Sequence, residues 1–544
     1  MNPLEAYGLT PYGPSPNSRQ MEWYRREKTA FLHFTVNTFT AREWGDGTES
    51  PTVFAPTDLD CRQWARVLKE GGFDAAILTA KHHDGFCLWP SRLTDHTVAH
   101  SPLAGRDIVR EFTDACREYG IKPGLYLSPW DRHEPTWGKP EYDEFYVGQL
   151  KELLTNYGSI WEIWWDGAGS ETAHYDWQRW VDLVHTLQPQ CVIFGCRGAG
   201  PLADLRWVGN EEGFAGESCF ATIDPQSIVA ENCRELNEGK WGGSHFIPAE
   251  TNTSIRPGWF WHERQNGDVR DVEELKDYWF RSAGRNSGIL LNLPPDRRGL
   301  IHETDAANIR AWNLELQRMF REDLAQGATV TAPGGLHPQC GPDNLLKGEE
   351  SAVYAAPELL PTVELTFEAP ITFDCLVAQE VIELGHRVKS FRVDVAENGA
   401  WKTLLTFGCM GFRQARYFPP VTTRGVRLVI TEAGDKPVLR RLSLYRTGMT
   451  GREARCEARE YTGLQIQKTG DGLLVNLGGI FPYNAVELDV PGAWRVESFN
   501  GTDFVFTAES QSSRAVFPTV TGSYQLRLTS DTDLTHAHVR VFLE

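Results

Sequence analysis

Eight short apolar runs, most of them followed by a stretch of helical periodicity, occupy residues 29–292, and this alternation constrains the chain more than any other feature. The runs are 29–36 (TAFLHFTV), 73–80 (FDAAILTA), 122–128 (KPGLYLS), 161–165 (WEIWW), 191–195 (CVIFG), 205–208 (LRWV), 245–248 (HFIP) and 288–292 (GILLN). Runs with little polar alternation predict strands buried on both faces, as in a parallel sheet covered by helices. Helical periodicity fills 61–71, 106–119, 142–157, 177–187 and 272–283, with Gly71-Gly72 and Gly120 as stop signals. The pattern predicts an α/β fold of the (β/α)8-type, a TIM-like barrel. A doubly wound open sheet is the competing architecture, but no Gly-rich phosphate fingerprint follows any of the runs.

A long helix over 305–324 ends the alternation, and short strands with turn signals follow, near 362–367, 391–396, 425–431, 442–445, 473–477, 485–490 and 522–529. The expected organisation is therefore a barrel over 1–325 and two all-β sandwich-like domains over 326–448 and 449–544. The sandwiches are expected mainly to brace the barrel.

In such a barrel the residues just beyond the C-terminal ends of the strands converge on one pocket. Those positions hold His33 and Asn37, His82, His83 and Asp84, Tyr126 and Trp130, Trp164 and Asp166, Glu211 and Glu212, and Arg256 in the loop after the seventh run. Asp166 on its own reads more readily as a cap or a turn residue than as a catalytic group. Together the set makes a polar, aromatic-walled pocket with carboxylates on different strands, which suits a polyhydroxylated ligand. Adjacent His82 and His83 invite a metal reading. Neighbouring strand residues point to opposite faces, however, so only one would aim into the pocket unless the strand has already ended, and no Cys or His partner stands at zinc spacing; no metal and no cofactor are expected.

The motifs FLHFTVNTFTAREWGDG (31–47), TAKHHDGFCLWPS (79–91), YLSPWD (126–131), ELLTNYGSIWEIWWDGA (152–168), RWVGNE (206–211), SIRPGWF (254–260) and LLNLPPDRRGL (290–300) carry a specific likeness. The stretch 20–325 resembles the α-L-fucosidases of glycoside hydrolase family 29, above all the subgroup preferring α-1,3/1,4-linked fucosides, and the first β module is similar to galactose-binding or discoidin-type sandwiches. The resemblance implies Asp166 as catalytic nucleophile, Glu211 as general acid/base, and His33, Glu43, Trp44, His82, His83, Tyr126 and Trp164 as residues holding the sugar, with Arg256 lining the site. It implies a retaining double displacement, in which the two carboxyl groups stand ~5–5.5 Å apart. Two departures stand out: Thr251-Asn252-Thr253 replaces an expected acidic residue, which bears on the outer sugar subsite, and Thr35-Val36 stands where glycine is common.

Charge agrees with a neutral substrate. Lys and Arg number 54 against 73 Asp and Glu, a net charge of −19, which disfavours nucleic acid and anionic membranes as partners. A fucosylated oligosaccharide is the expected partner. Eleven scattered Cys without a C-x-x-C pair suit buried thiols in a reducing compartment, and the N-terminus lacks a basic and apolar leader, so a cytoplasmic location is expected for the sequence as it stands. A trimmed leader, a retaining fucosidase of other linkage preference, another glycosidase specificity on the same scaffold, a lectin-like relative with little or no activity and a metal-dependent hydrolase are the alternatives left open.

Overall fold

The computed structural model describes the chain except residues 1–3, 5–6, 170–172, 230–231, 450–458, 462–463, 471, 500–503, 535 and 544. Eight parallel strands close a barrel: β1 Lys28–Leu32, β2 Ala75–Lys81, β3 Lys122–Leu127, β4 Glu162–Trp165, β5 Val192–Gly195, β6 Leu205–Trp207, β7 Ala249–Ser254 and β8 Gly288–Asn292. Their order around the barrel is β1-β8-β7-β6-β5-β4-β3-β2. Seven of the eight coincide with the apolar runs. The run at 245–248 does not: His245–Phe246 pairs with Thr222–Ile223 in a separate two-stranded sheet, and the barrel is completed by the polar segment AETNTS of β7.

The reason lies in which way β7 faces. Glu250, Asn252 and Ser254 point into the barrel, where they meet buried polar partners, while Thr251 and Thr253 face Tyr278 and Arg270 on the helix side. A strand polar on both faces has no apolar signature. The other strands sort cleanly by parity. Ile163 and Trp165 of β4 pack outward against the helices, whereas Trp164 packs inward with Phe31, Tyr126, Phe194 and Leu290.

Helices form where expected at Cys61–Glu70, Ile108–Glu118, Tyr142–Asn156, Trp177–Leu187 and Val272–Arg281, most of them capped by an Asp side chain. The stretch between β5 and β6 holds only the 3-10 segment Arg197–Leu202. Helix α1, Ser18–Tyr24, opens on a capping box of Asn17 and Gln20 and sets Trp23 at the N-terminal end of the barrel. Residues expected to continue β1 to position 36 instead turn into the short helix Val36–Thr40, capped by Thr35, whose extended backbone needs no glycine.

Beyond the barrel helix Glu303–Met319, two antiparallel seven-stranded sheets follow among the described residues. In the first, Thr362–Glu380 pairs with Gln414–Ala433 through two register shifts, so each long strand serves both layers of a sandwich around Val363, Phe373, Leu376, Val393 and Leu428. The second folds likewise around Trp494, Val475 and Val541. The first sandwich grips the barrel: Asn286, at φ +60°, donates to the Cys219 carbonyl and accepts from the Phe412 amide, and Tyr24 stacks on Phe412 at 4.8 Å. Residues 450–458, beside the boundary expected at 448/449, lie outside the described residues, as does Cys456. The ten other cysteines are free thiols. No helix among the described residues is long and apolar enough to cross a membrane.

Candidate active site

At the C-terminal mouth of the barrel a cavity of about 920 Å³, open solvent included, is lined by residues from every strand end but β3 and β8. Those two strands contribute indirectly, through Tyr126 and Asn292. Asp166 continues the inward parity of Glu162 and Trp164 and is the first side chain past β4. It is a quarter exposed, which leaves it reachable by a ligand. One carboxylate oxygen takes the Ala168 amide at 2.8 Å and the other the Tyr126 hydroxyl at 3.0 Å, so its orientation is fixed from two sides.

The two adjacent histidines both reach the cavity. A register shift in β2 between Thr79 and Lys81 turns Lys81 outward, where Asp131 and Gln149 hold its ammonium at 2.8 and 2.9 Å, and the strand then ends. His82 and His83 are thereby released from strand alternation. Burial holds His33 down to about 3 and His83 down to about 4, and drives His82 well below its ordinary value, so all three rings are neutral near pH 7.

Their hydrogen-bond partners assign the ring protons. Asn292 donates its amide to Ser254 and the Trp259 carbonyl, leaving its oxygen to accept from His33 Nδ1 at 3.0 Å. Ser128 donates to the Trp130 carbonyl, so it accepts from His83 Nδ1 at 2.7 Å. Asn37 donates to His82 Nδ1 at 3.4 Å. The cavity therefore meets an acceptor on His33, a donor on His82 and an acceptor on His83, a pattern matched to hydroxyl groups that both give and take hydrogen bonds. The His83 acceptor lies 3.7 Å from Asp166 Oδ2, a gap that one hydroxyl hydrogen can bridge.

Trp164 lines the inner wall, and buried rings on the neighbouring strands back it. Tyr126, Trp164 and Phe194 sit at one register level on β3, β4 and β5, with ring centroids 5.5 and 4.2 Å apart, and His82 stacks on Tyr126 at 5.6 Å. Trp44 stands edge-on to His83 at 5.8 Å.

Glu211 follows β6, half-buried on the same cavity. Burial and the nearby Asp166 push its carboxyl up to about 8, against the Trp259 indole, which donates to it at 3.3 Å. Glu43 does not touch the strands. It accepts from the Trp259 and Phe260 amides at 2.8 and 3.4 Å and from His262 at 2.8 Å, and so pins the loop between β7 and β8 over the cavity.

Arg256 departs from expectation. It is fully buried in a bidentate pair with Asp305 of the helix Glu303–Met319, at 2.8 and 2.7 Å, and donates to Asn266, so it anchors the Trp259 loop from behind and does not line the cavity. Asn252, taken as a mark of the outer subsite, is buried in the inner wall and accepts from the Trp207 indole at 3.0 Å. Trp207, Trp259, Arg197 and Ile228 line the cavity without having been singled out. Trp207 and Trp259 stood inside quoted motifs. Ile228 lies in a loop with no periodic signal. Among the described residues no group of three or more His, Cys, Asp or Glu side chains could hold a metal ion.

Residues 10–313 match the family model of α-L-fucosidase. The chain is 38% identical to alpha-L-fucosidase 1 of Arabidopsis thaliana over 84% of its length and 92% of that protein. It belongs to the α-L-fucosidase family. As a member it is a glycoside hydrolase. Among solved structures, a glycoside hydrolase 29 family member from a rumen bacterium aligns with 98% of this chain and 100% of that one, at 31% identity and a TM-score of 0.73. A Ruminococcus gnavus GH29 fucosidase in complex with fucose aligns with 80% of this chain and 96% of that one, at 28% identity and a TM-score of 0.75.

Proposed function

We propose that this α-L-fucosidase is a retaining exo-enzyme that removes terminal α-1,3/1,4-linked, Lewis-type fucose from oligosaccharides by double displacement. The observation that carries the mechanism is the pairing of two carboxyl groups in unlike settings on one cavity. Asp166 is oriented by two donors and stands open to the ligand, while Glu211 is pushed up to about 8 by burial and by Asp166 itself. One is suited to attack the anomeric carbon, the other to deliver a proton near neutral pH.

In this reading Asp166 displaces the leaving oxygen as Glu211 protonates it, giving a glycosyl-enzyme; Glu211 then takes a proton from a water that bonds to the anomeric carbon as the bond to Asp166 breaks, which restores both carboxyl groups. The sugar lies against Trp164, with His33, His82 and His83 reading its hydroxyls and Glu43 holding the Trp259 loop over it. Fucose as the sugar is supported by the family and by the ligand of the R. gnavus relative. The linkage rests on the likeness of the whole motif set to the α-1,3/1,4 subgroup, in which W-V-G-N-E matches that subgroup's acid/base motif.

The test is Asp166→Ala assayed on an aryl α-L-fucoside. Turnover should fall by several orders of magnitude, and azide should restore part of it as a fucosyl azide. Near-normal turnover would remove Asp166 from the reaction, and a first-formed sugar of inverted configuration by proton NMR would exclude double displacement. A panel of Lewis-type and α-1,2-linked oligosaccharides reads the linkage.

A further inference from the structure

Beneath the sugar pocket lies a feature that the reaction does not use. Glu162 and Glu250 both point into the barrel from β4 and β7, and neither has any solvent exposure. Two carboxyl groups in one dry compartment cannot both be ionised at ordinary cost: burial raises both, Glu250 to about 7, so they hold at most one negative charge between them.

The hydrogen bonds say where it sits. Glu250 Oε1 accepts the Trp164 indole and Oε2 accepts the Trp23 indole, both at 3.1 Å. Indole N–H groups can only donate, so both Glu250 oxygens are needed as acceptors, and the ionised form meets both donors best. Glu162 has neither oxygen hydrogen-bonded to any group of the protein, and Glu250 and Asp204 both stand near enough to oppose its charge. The proton therefore belongs to Glu162.

We infer that Glu250 is a positioning residue for the sugar site, its carboxylate tying the pocket wall Trp164 to Trp23 of α1 at the opposite end of the barrel. The inference rests on the reading of Trp164 as the wall against which fucose lies. Glu250 touches no substrate. It fixes the rotation of the Trp164 ring about its side-chain bonds, and with it the stack of Tyr126, Trp164 and Phe194.

The test compares Glu250→Leu, Glu250→Gln and Glu162→Gln. A wall residue held in place favours ground state and transition state alike, so its release should appear in KM. Glu250→Leu should raise KM for an aryl α-L-fucoside about tenfold, with kcat changed less than about threefold. Glu250→Gln, which keeps one carbonyl acceptor, should recover at least half of that loss on a logarithmic scale. Glu162→Gln, which mimics the protonated acid, should leave both constants within about twofold of the wild type. In 15N-tryptophan-labelled protein the Trp164 indole N–H signal should move upfield and exchange faster in Glu250→Leu but not in Glu162→Gln. That signal decides the matter even in a protein that cleaves no fucoside, and if Glu250→Leu does not fold, Glu250→Gln carries the indole measurement with a smaller shift of the same sign. An unchanged KM with an unchanged indole signal would overturn the inference, as would equal effects at Glu162 and Glu250. A wild type inactive on fucosides would instead sink the reading of the site.

Discussion

The Trp259 indole donates to Glu211 and thereby opposes the burial that raises this carboxyl, which makes Trp259→Phe a quantitative probe of the acid. Phenylalanine keeps an aromatic ring near His33, whose centroid is 5.1 Å from that of Trp259, but removes the N–H. At 3.3 Å and with Glu211 half-buried, the lost hydrogen bond to the charged form amounts to about 1 kcal/mol. At 1.36 kcal/mol per pH unit this is a rise of about 0.7 in the pKa of Glu211. In the proposed role of Glu211 the protonated acid is the active form, so activity falls as pH rises through its pKa and a higher pKa moves that limb to higher pH. The assay is the pH dependence of kcat/KM on a fucosyl disaccharide, whose poor leaving group needs the proton. An aryl fucoside with a good leaving group serves as control and should show a weaker limb. An alkaline limb that stays in place, or moves to lower pH, would refute both the hydrogen bond's influence and the assignment of the limb to Glu211.

Two further outcomes concern stability. Lys81→Met leaves the Asp131 carboxylate buried without its cation while Asp131 still caps the His133 and Glu134 amides, so unfolding free energy should drop by about 3–5 kcal/mol in urea titrations, and Trp130 beside His83 should loosen. Asp84, buried and accepting from the Phe86 amide and the Thr35 hydroxyl, is pushed up to about 7 by burial. A folded-state pKa above the unfolded value means its contribution is fully present below about pH 4 and is lost as pH rises through 7. Asp84→Asn copies the protonated form, so its urea midpoint should gain on the wild type from about pH 4 to pH 7 and hold a constant lead above that; parallel curves between pH 4 and 7 would show that Asp84 does not titrate there.

Much of the barrel was legible because a parallel strand covered on both faces must be apolar, and GILLN at 288–292 became β8 residue for residue. The seventh strand was illegible for the converse reason: its inward side chains serve the polar interior, so HFIP imitated a strand better than AETNTS did. Asp166 could be read from its place after WEIWW, since strand parity carries directly into the cavity. The joint arrival of His82 and His83 was legible only through the motif likeness, because it depends on a register shift that periodicity does not encode. Arg256 shows a different limit, for a motif near a site fixes neighbourhood but not direction, and its guanidinium turned toward Asp305. Glu43 shows the same limit in reverse, reaching the cavity from a loop that follows a helix invisible in the sequence pattern.

The stacked rings of Tyr126, Trp164 and Phe194 have a consequence for how such an enzyme can change. Each ring hangs from a different strand at one level of the backbone ladder, so the spacing of the floor is inherited from the spacing of strands and cannot be retuned one side chain at a time. The mouth is built otherwise, from separate loops carrying Trp44, Arg197, Val229 and Trp259. Exchange of loops can therefore reshape the mouth, while the depth of the pocket stays locked to the architecture of the barrel.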